Sequence, residues 1–317
     1  MKTLTKVQTA EFLSAHDHFA IITHCGPDGD TVGSAAALCL GLRQLGKTAH
    51  VLENPQVPPK YQYLLENLTK PDAQPGDVLV SVDVAAAHML SEASRHWADR
   101  VDLRIDHHGT STPFAKYELV EGVAACGEIV YDLLVMLGVK LDVPMANALY
   151  TAVSTDTGCF RYANTTDRSF AVASHCAAVS PDITKIAQQL FDTVTMGKLR
   201  LQSWVVANMH VLQDGKIVIC GIPADLREQL DLTEEDMGNL SGFLRSIEGV
   251  RVSATLREIE GGCKVSVRAI PGFDAAAICT AFGGGGHKGA AGANLMLPME
   301  SALKVVAAAL KNALEGL

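Results

Sequence analysis

Short apolar runs that alternate with segments of helical spacing characterise the first half of the chain. Residues 19–22 and 78–82 are largely apolar, which is typical of strands buried on both faces of a parallel sheet, and residues 101–105 are predicted as a further strand. Residues 32–45 are rich in alanine and leucine and stop at Gly46, a residue that favours the end of a helix. This alternation predicts an α/β fold with a mostly parallel sheet and helices on both faces.

Helical spacing continues after these strands. Residues 127–137 carry branched apolar side chains at helical intervals, and a further helix is predicted to start at Pro144. Residues 166–178 and 182–191 are predicted as two more helices. We therefore expect a first domain that spans residues 1–193.

A change of pattern predicts a second, smaller α/β domain with a mixed sheet. Residues 194–214 are predicted as a helical linker and residues 215–317 as the domain itself. Apolar and polar residues alternate at 250–257 and 264–270 around a Gly-Gly pair, which predicts an antiparallel hairpin of half-buried strands. The polar positions of the second strand, Arg268 among them, are expected to face outward.

Composition and charge narrow the classes of function. The 317 residues are 48% hydrophobic and carry a net charge of −9. Long duplex nucleic acid is disfavoured as a partner, because its binding draws on many lysine and arginine contacts to phosphate, whereas small anionic substrates remain open. Eight cysteines without a Cys-x-x-Cys pair favour free thiols in a reducing compartment. Without a signal-like start or a long apolar run, a cytoplasmic protein with no membrane partner is expected.

Histidine and aspartate residues follow the predicted strands and one helix. The six candidate ligands are His24, Asp28, Asp30, Asp83, His107 and Asp156. Taken singly, such residues are common turn formers, helix caps or surface residues. Together they exceed what one divalent cation takes from a protein, so they predict two cations that share a carboxylate. Oxygen donors with a little imidazole favour two Mn²⁺ ions, with Mg²⁺ or Co²⁺ as alternatives, over structural zinc.

These residues also form motifs in a fixed order. The motifs are the His-x-x-x-Asp-x-Asp opening at His24, the isolated Asp83, the Asp-His-His triplet at Asp106, the Ser-x-Asp-Thr-Gly segment at Ser154 and the Gly-Gly-Gly-Gly-His run at residues 283–287. In this order they resemble the DHH phosphoesterases, a family named for the triplet. The resemblance covers nearly the whole chain and implies a catalytic domain followed by a DHH-associated substrate-binding domain.

The resemblance implies a role for each residue of the site. The ligand sets are His24, Asp28 and Asp83 for the first metal, and Asp30, Asp83, His107 and Asp156 for the second. Asp83 would then bridge the two metals. Asp106 would orient a histidine, and His108 would contact the scissile phosphate or protonate the leaving oxygen, so that Asp83, Asp106 and His108 are the implied catalytic residues.

Substrate contacts are implied in both domains. The candidates are Arg161, Arg268, Gly284, Gly285, Gly286 and His287. Each arginine has an alternative as a solvated surface residue, and the glycine run as a flexible linker. Small residues rather than serines follow the run, which argues against a linker, and glycine amides can approach a ligand closely.

Within the family, the two-domain layout most resembles the bifunctional nanoRNases. These enzymes hydrolyse short oligoribonucleotides, including linear dinucleotides such as pApA and pGpG, and remove the 3′-phosphate from 3′-phosphoadenosine 5′-phosphate (pAp). Short RNA and nucleotide phosphates are therefore the expected partners, and a homodimer is left open. Residues 109–112 lack the asparagine that the family often has after its triplet, which puts the placement of the substrate phosphate in question.

Four alternatives remain at this point. Larger RecJ-type exonucleases carry extra domains, and cyclic-dinucleotide phosphodiesterases of the family carry a membrane segment that is not seen before Phe19. Family II pyrophosphatases share the metal motifs but have a different C-terminal domain, which the run at residues 283–287 disfavours. A nucleotide-binding module without catalysis is disfavoured because every expected ligand type is present.

Overall fold

The computed structural model describes residues 2–109, 111–233 and 236–316. Its contacts divide the chain into two compact units, Met1–Thr193 and Val194–Leu317. Each unit has its own sheet and its own hydrophobic core. Thr110, part of the segment that departs from the family pattern, lies outside the described residues.

A seven-stranded sheet lies at the centre of the first unit, and every strand pair in it is parallel. The strands are β1 (Lys2–Thr3), β2 (Phe19–Ile22), β3 (Ala49–Leu52), β4 (Thr69–Lys70), β5 (Val78–Val82), β6 (Leu103–Asp106) and β7 (Tyr117–Val120). They are ordered β1-β7-β6-β5-β2-β3-β4. This sheet confirms the predicted α/β fold class, and β2 is buried along its whole length, as its apolar run predicts.

Helices cover the two faces of this sheet unequally. The α-helices are α1 (Lys6–Ala15), α2 (Gly29–Gln44), α3 (Pro59–Gln62), α4 (Cys126–Met136), α5 (Val143–Asp156), α6 (Asp167–Val179) and α7 (Ile183–Ala187), with a 3₁₀ turn at Tyr63–Leu65 and a π turn at Gln188–Asp192. Phe19 and Ile21 share the larger core with α2 and α5. Ile22 lies on the other face, beneath the 3₁₀ helices Ala87–Met89 and Glu92–Arg100.

The order in which successive strands are added to the sheet reverses between β2 and β5. β3 and β4 extend it on one side of β2, whereas β5, β6 and β7 extend it on the other. Connections that leave neighbouring strands in opposite directions open a crevice at the carboxyl ends of those strands, where open α/β sheets bind ligands. The loop after β2 carries His24, and the residue directly after β5 is Asp83. Both therefore open onto this crevice.

Close packing of α2 on α5 brings further residues to the crevice. Asp28 caps α2, since its Oδ1 accepts the backbone N–H of Asp30 at 3.0 Å. A Cβ at Gly33 would lie 2.3 Å from the carbonyl oxygen of Ala148, so the two helices can approach this closely only with glycine there. Helix α5 ends at Asp156, which the sequence also predicts to lie at a helix end.

The second unit is built on a six-stranded mixed sheet of order β12-β13-β11-β10-β9-β8. Its elements are α8 (Met196–Asn208), β8 (His210–Leu212), β9 (Ile217–Ile222), α9 (Leu226–Gln229), α10 (Leu240–Arg245), β10 (Val252–Ile259), β11 (Gly262–Ala269), α11 (Ala275–Ala281), β12 (Gly285–His287), β13 (Ala290–Leu295) and α12 (Met299–Glu315). β9 and β10 are parallel, and the other pairs are antiparallel. The predicted mixed sheet and the β10–β11 hairpin are confirmed.

Two details of the second unit differ from the sequence pattern. The segment predicted as a linker contains α8, whose Leu201 and Val205 are buried in the core of this unit. β10 is not half-buried as predicted, because its polar residues Ser253 and Thr255 are also buried. Helix α10 covers that face, and the hydroxyl of Ser253 donates to the carbonyl oxygen of Ser241 at 2.6 Å.

The cysteines agree with the sequence analysis. All eight cysteines are free thiols, and six are buried. Among the described residues, no helix has both the length and the hydropathy needed to cross a membrane.

Candidate metal centre

A first histidine faces two carboxylates in the crevice. His24 Nε2 lies 3.7 Å from Oδ1 of Asp28 and 3.6 Å from Oδ2 of Asp83. Its Nδ1 donates to the carbonyl oxygen of Cys25 at 2.9 Å, which fixes the ring and leaves Nε2 directed at the carboxylates. The donor atoms of the three residues lie within 4.8 Å of one another, close enough to hold one metal ion.

A second histidine repeats this arrangement beside the first. His107 Nε2 lies 3.3 Å from Oδ1 of Asp83, 3.3 Å from Oδ2 of Asp156 and 3.7 Å from Oδ2 of Asp30. Its Nδ1 donates to the carbonyl oxygen of Val123 at 3.1 Å. The donor atoms of Asp30, His107 and Asp156 also lie within 4.8 Å of one another. The structure thus brings together all six candidate ligands as two groups that meet at Asp83.

Asp83 has two unfavourable features. Its backbone has φ of 58°, a left-handed conformation that is uncommon outside glycine, and its buried Oδ1 accepts no hydrogen bond from any described residue. A buried carboxylate oxygen without a donor costs free energy, and a strained backbone persists only where its surroundings impose it. A cation between Asp83 and the histidines would compensate the charge of this oxygen, so the donor set fits divalent metal ions.

The start of α4 holds Asp30. Its Oδ2 accepts the backbone N–H of Cys126 at 2.6 Å, and its Oδ1 accepts the N–H of Gly127 at 2.9 Å and the hydroxyl of Ser34 at 3.0 Å. The N–H groups at a helix N-terminus favour negative charge. Asp30 therefore has its orientation fixed by a helix that begins far along the chain.

Asp106 and His108 form a hydrogen-bonded pair beside the two groups, and the donor atoms of His108, Asp83 and His107 also lie within 4.8 Å of one another. Asp106 is fully buried at the end of β6, and its Oδ1 accepts from Nδ1 of His108 at 2.7 Å and from the backbone N–H of His107 at 2.9 Å. His108 Nδ1 also lies 3.6 Å from Oδ1 of Asp83. The His108 side chain is 34% exposed, as a contact to substrate requires.

The carboxylates shift the pKa values of the histidines strongly. Burial disfavours the imidazolium of His24, but the hydrogen bonds and charges of Asp28 and Asp83 outweigh burial and raise its pKa to about 11. For His107, burial is again outweighed, chiefly by Asp83, and the pKa rises to about 10. Burial and the charge of Asp83 raise the pKa of Asp156 to about 7. In the metal-free protein, protons therefore neutralise the charge that cations would neutralise.

The two arginines among the candidate substrate contacts differ in their surroundings. Arg161 is exposed in the loop after α5, and its Nε donates to the carbonyl oxygen of Gly158 at 2.6 Å. Arg268 is half-buried on β11, and its Nη1 donates to the carbonyl oxygen of Val267 at 3.0 Å.

The glycine run forms an ordered edge strand rather than a flexible linker. β12 lies at the edge of the second sheet and pairs with β13. Gly286 has φ of 141°, and a Cβ there would lie 2.6 Å from the carbonyl oxygen of Ala290. In the sheet register Ala290 pairs with both Arg268 and His287, so these two side chains lie in one row on the same face, with only a methyl group between them.

Three supporting residues were missed in the sequence analysis. Asn54 Nδ2 donates to the carbonyl oxygen of His24 at 2.9 Å, and Asn164 Nδ2 donates to that of Asp156 at 3.1 Å. Asn54 follows β3 at the ligand-bearing edge of the sheet, a position that could have indicated it. Arg104 lies 3.6 Å from Asp106, and nothing in its position within a predicted strand indicates a role at the site.

Comparisons with known proteins identify a family for both units of the chain. A family model described as "DHH family, N-terminal domain" matches residues 18–153, and a "DHHA1 domain" model matches residues 214–315. The bifunctional oligoribonuclease and PAP phosphatase NrnA of Thermus thermophilus is 34% identical over 284 residues, which cover 87% of this chain and 83% of that protein. The chain belongs to the DHH family. The family resemblance found in the sequence is thereby confirmed.

Two further DHH-family relatives match along nearly the whole chain. The Bacillus subtilis protein of the same name is 23% identical over 92% of this chain and 93% of its own length. The crystal structure of an exopolyphosphatase-related protein from Bacteroides fragilis superposes with a TM-score of 0.83 at 25% identity, and covers 97% of this chain and 95% of that one. Both units of the chain thus have counterparts in these relatives.

Proposed function

We propose that this protein is a metal-dependent phosphoesterase that hydrolyses short oligoribonucleotides, including pApA and pGpG, and removes the 3′-phosphate from pAp. The observation that carries the proposal is the pair of histidine and carboxylate groups that meet at Asp83. Two relatives named bifunctional oligoribonuclease and PAP phosphatase match this chain over most of its length, which supports the substrate class.

The ligand residues would hold two cations, with Mn²⁺ as the proposed metal and Mg²⁺ or Co²⁺ as alternatives. His24, Asp28 and Asp83 would hold one, and Asp30, His107 and Asp156 the other, with Asp83 shared. When bound, such cations make a water molecule nucleophilic near neutral pH and neutralise charge on a phosphoryl group. Burial of Asp30 and Asp83 and the hydrogen bonds of the two histidine rings would keep these donors fixed before any ion arrives.

Protein groups beside the ligands would act on the substrate. Asp106 holds Nδ1 of His108, so the opposite nitrogen of His108 would contact the scissile phosphate or give a proton to the leaving oxygen. We further propose that Arg161 contacts the substrate on the catalytic unit. In the second unit, the Arg268 and His287 row and the amides of Gly284, Gly285 and Gly286 would bind a phosphate.

A panel of substrates tests this proposal. The purified protein, loaded with Mn²⁺ and compared with an EDTA-treated sample, would receive pAp, pApA, pGpG, a long RNA, a cyclic dinucleotide and pyrophosphate in parallel. We expect metal-dependent hydrolysis of the first three and little of the others. Faster hydrolysis of pyrophosphate or of a cyclic dinucleotide would favour the corresponding alternative, and binding of nucleotides without any hydrolysis would favour a non-catalytic module.

Homodimer formation remains a proposal as well. Light scattering after gel filtration would decide it, since a dimer has twice the mass of the 33.7 kDa chain.

A further inference from the structure

Arg104 is a fully buried cation that the ligand sets do not use. Its side chain is 1% exposed on β6, an interior strand of the sheet, and its guanidinium makes several polar contacts. Nη1 donates to the carbonyl oxygen of Ala85 at 3.0 Å, Nη2 donates to the hydroxyl of Ser111 at 3.1 Å, and Nη1 lies 3.6 Å from Oδ2 of Asp106. One guanidinium thus joins the loop after β5, the loop after β6 and the aspartate of the triplet.

Stability alone does not account for this arginine. A buried ion pair loses much of its attraction to desolvation, and replacement of all its charged partners by well-packed apolar residues is often neutral. Arg104 also lies 3.3 Å from Oε2 of Glu118, so one cation lies against two buried carboxylates. Its Nε, in addition, has no hydrogen-bond partner in the part of the chain that the structure describes. The free-energy cost of burying Arg104 is best explained by the groups that its guanidinium holds in place.

The contacts of Asp106 show which group Arg104 holds in place. Oδ1 of Asp106 receives the hydrogen bond from Nδ1 of His108, whereas Oδ2 has no hydrogen-bond partner among the described residues and lies 3.6 Å from Nη1 of Arg104. A carboxylate held at one oxygen can rotate about its χ2 angle, and a cation at the other oxygen restricts that rotation. The orientation of the His108 imidazole therefore depends on Arg104 through Asp106.

We propose that Arg104 is a positioning residue for His108. It fixes the plane of the Asp106 carboxylate, and it ties the loop that follows His108 to Ala85, two residues beyond Asp83. This inference rests on the proposed function, because His108 has a task only if the protein cleaves phosphoesters. It adds to that function a residue that acts neither on metal nor directly on substrate.

A double-mutant cycle tests the proposal. Arg104→Met leaves the buried Asp106 and Glu118 without their cation, so it should fold with a lowered melting temperature and keep its bound metal. KM for pApA should be nearly unchanged and kcat lowered roughly 10- to 100-fold, a typical effect of losing a group that orients a site residue. In the His108→Ala background the same substitution should have little further effect, because Arg104 acts through His108. Arg104→Lys keeps the charge but loses the planar set of donors, so we expect its kcat to lie between those of the native protein and Arg104→Met.

Arg43→Met is the matched control. Arg43 also donates to two backbone carbonyl oxygens, those of Ala49 and Asn67, but it contacts no carboxylate of the site. The Arg43→Met substitution should lower the melting temperature without changing kcat. Equal losses of kcat from Arg104→Met in the presence and absence of His108, or loss of metal from the variant, would overturn the proposal. If Arg104→Met does not fold, the same cycle run with Arg104→Lys decides between these outcomes.

A spectroscopic measurement separates this inference from the proposed function. In the metal-free protein, the proton that His108 Nδ1 donates to Asp106 should give a far-downfield NMR signal, assigned by its absence in His108→Ala. We expect the signal to vanish or broaden in Arg104→Lys and to persist in Arg43→Met. An unchanged signal in Arg104→Lys would refute the positioning role, whereas inactivity of the native protein on every phosphoester would refute only the function.

Discussion

At the residue scale, Asp83 has the strongest requirement for a partner that the protein chain does not supply. It combines a left-handed backbone, nearly complete burial and an oxygen without a hydrogen bond, and it faces both histidines. These features oppose stability in the metal-free protein. They are consistent with a side chain placed for bound cations rather than for packing.

We expect Asp83→Asn to lower both bound metal and turnover by several orders of magnitude. Asparagine tolerates the left-handed backbone, so the substitution removes the charge with little added strain. Metal content by mass spectrometry and hydrolysis of pApA would be measured on the same sample. Near-native turnover would exclude Asp83 from the site.

The raised histidine pKa values predict that metal binding releases protons. At pH 7.5 the metal-free protein carries protons on His24 and His107, whose pKa values are about 11 and about 10, and a cation must displace them. Apparent metal affinity should therefore fall as the pH is lowered. Calorimetric titration of Mn²⁺ in buffers of different ionisation enthalpy counts the protons, and a heat independent of the buffer would contradict the prediction.

At the scale of elements, the site depends on how closely helices pack. α2 carries Asp30, α5 ends at Asp156, and α4 supplies the N–H groups that hold Asp30. The spacing between α2 and α5 is set where Gly33 meets the backbone of Ala148. A shift of either helix would separate ligands that lie within a few ångströms.

Gly33→Ala should accordingly lower stability and metal affinity together. The added methyl group meets backbone atoms that cannot rotate away, a form of overpacking that costs roughly 1 to 3 kcal/mol. Gly122→Ala is the control, because a Cβ at Gly122 has nothing within 4 Å. Thermal unfolding with and without Mn²⁺ would be compared for both variants. If the Gly33 variant binds metal as tightly as the native protein, helix spacing does not control the site.

The sequence predicts those parts of the site whose cause is local. Apolar runs give the strands, and the glycine-rich loop after β2 places His24 and Asp28 at a strand end. The partners of Asp30 could not be predicted, because Cys126 and Gly127 contribute only backbone N–H groups, which leave no residue pattern. The burial of Ser253 was also missed. It depends on the helix α10 that covers this face, and the alternating pattern of β10 does not show that a helix packs there.

At the scale of the whole molecule, the candidate metal ligands and most of the proposed substrate contacts lie in different units. Every candidate metal ligand belongs to Met1–Thr193, whereas Arg268, His287 and the glycine edge strand belong to Val194–Leu317. Binding energy from a remote group can position the reacting phosphate. Loss of such a group should lower activity on the substrates that it binds.

Arg268→Ala and His287→Ala should therefore affect natural substrates selectively. Loss of a charge-assisted phosphate contact costs on the order of 2 to 3 kcal/mol, or roughly 30- to 150-fold in kcat/KM, on dinucleotides and pAp. Metal content and hydrolysis of bis-p-nitrophenyl phosphate should stay near native values. Equal losses on artificial and natural substrates would mean that these residues support the fold or the chemistry itself.

The arrangement of strands on either side of β2 and β5 also has a consequence for when the metal site can form. The ligands come from His24 through Asp156, so nearly the whole first unit must be synthesised and paired before two complete donor groups exist. Parallel strands joined by long crossovers fold slowly, because distant segments must meet before they stabilise one another. A nascent chain that ends before α5 therefore lacks Asp156, and full metal capture coincides with completion of the fold rather than guiding its early steps.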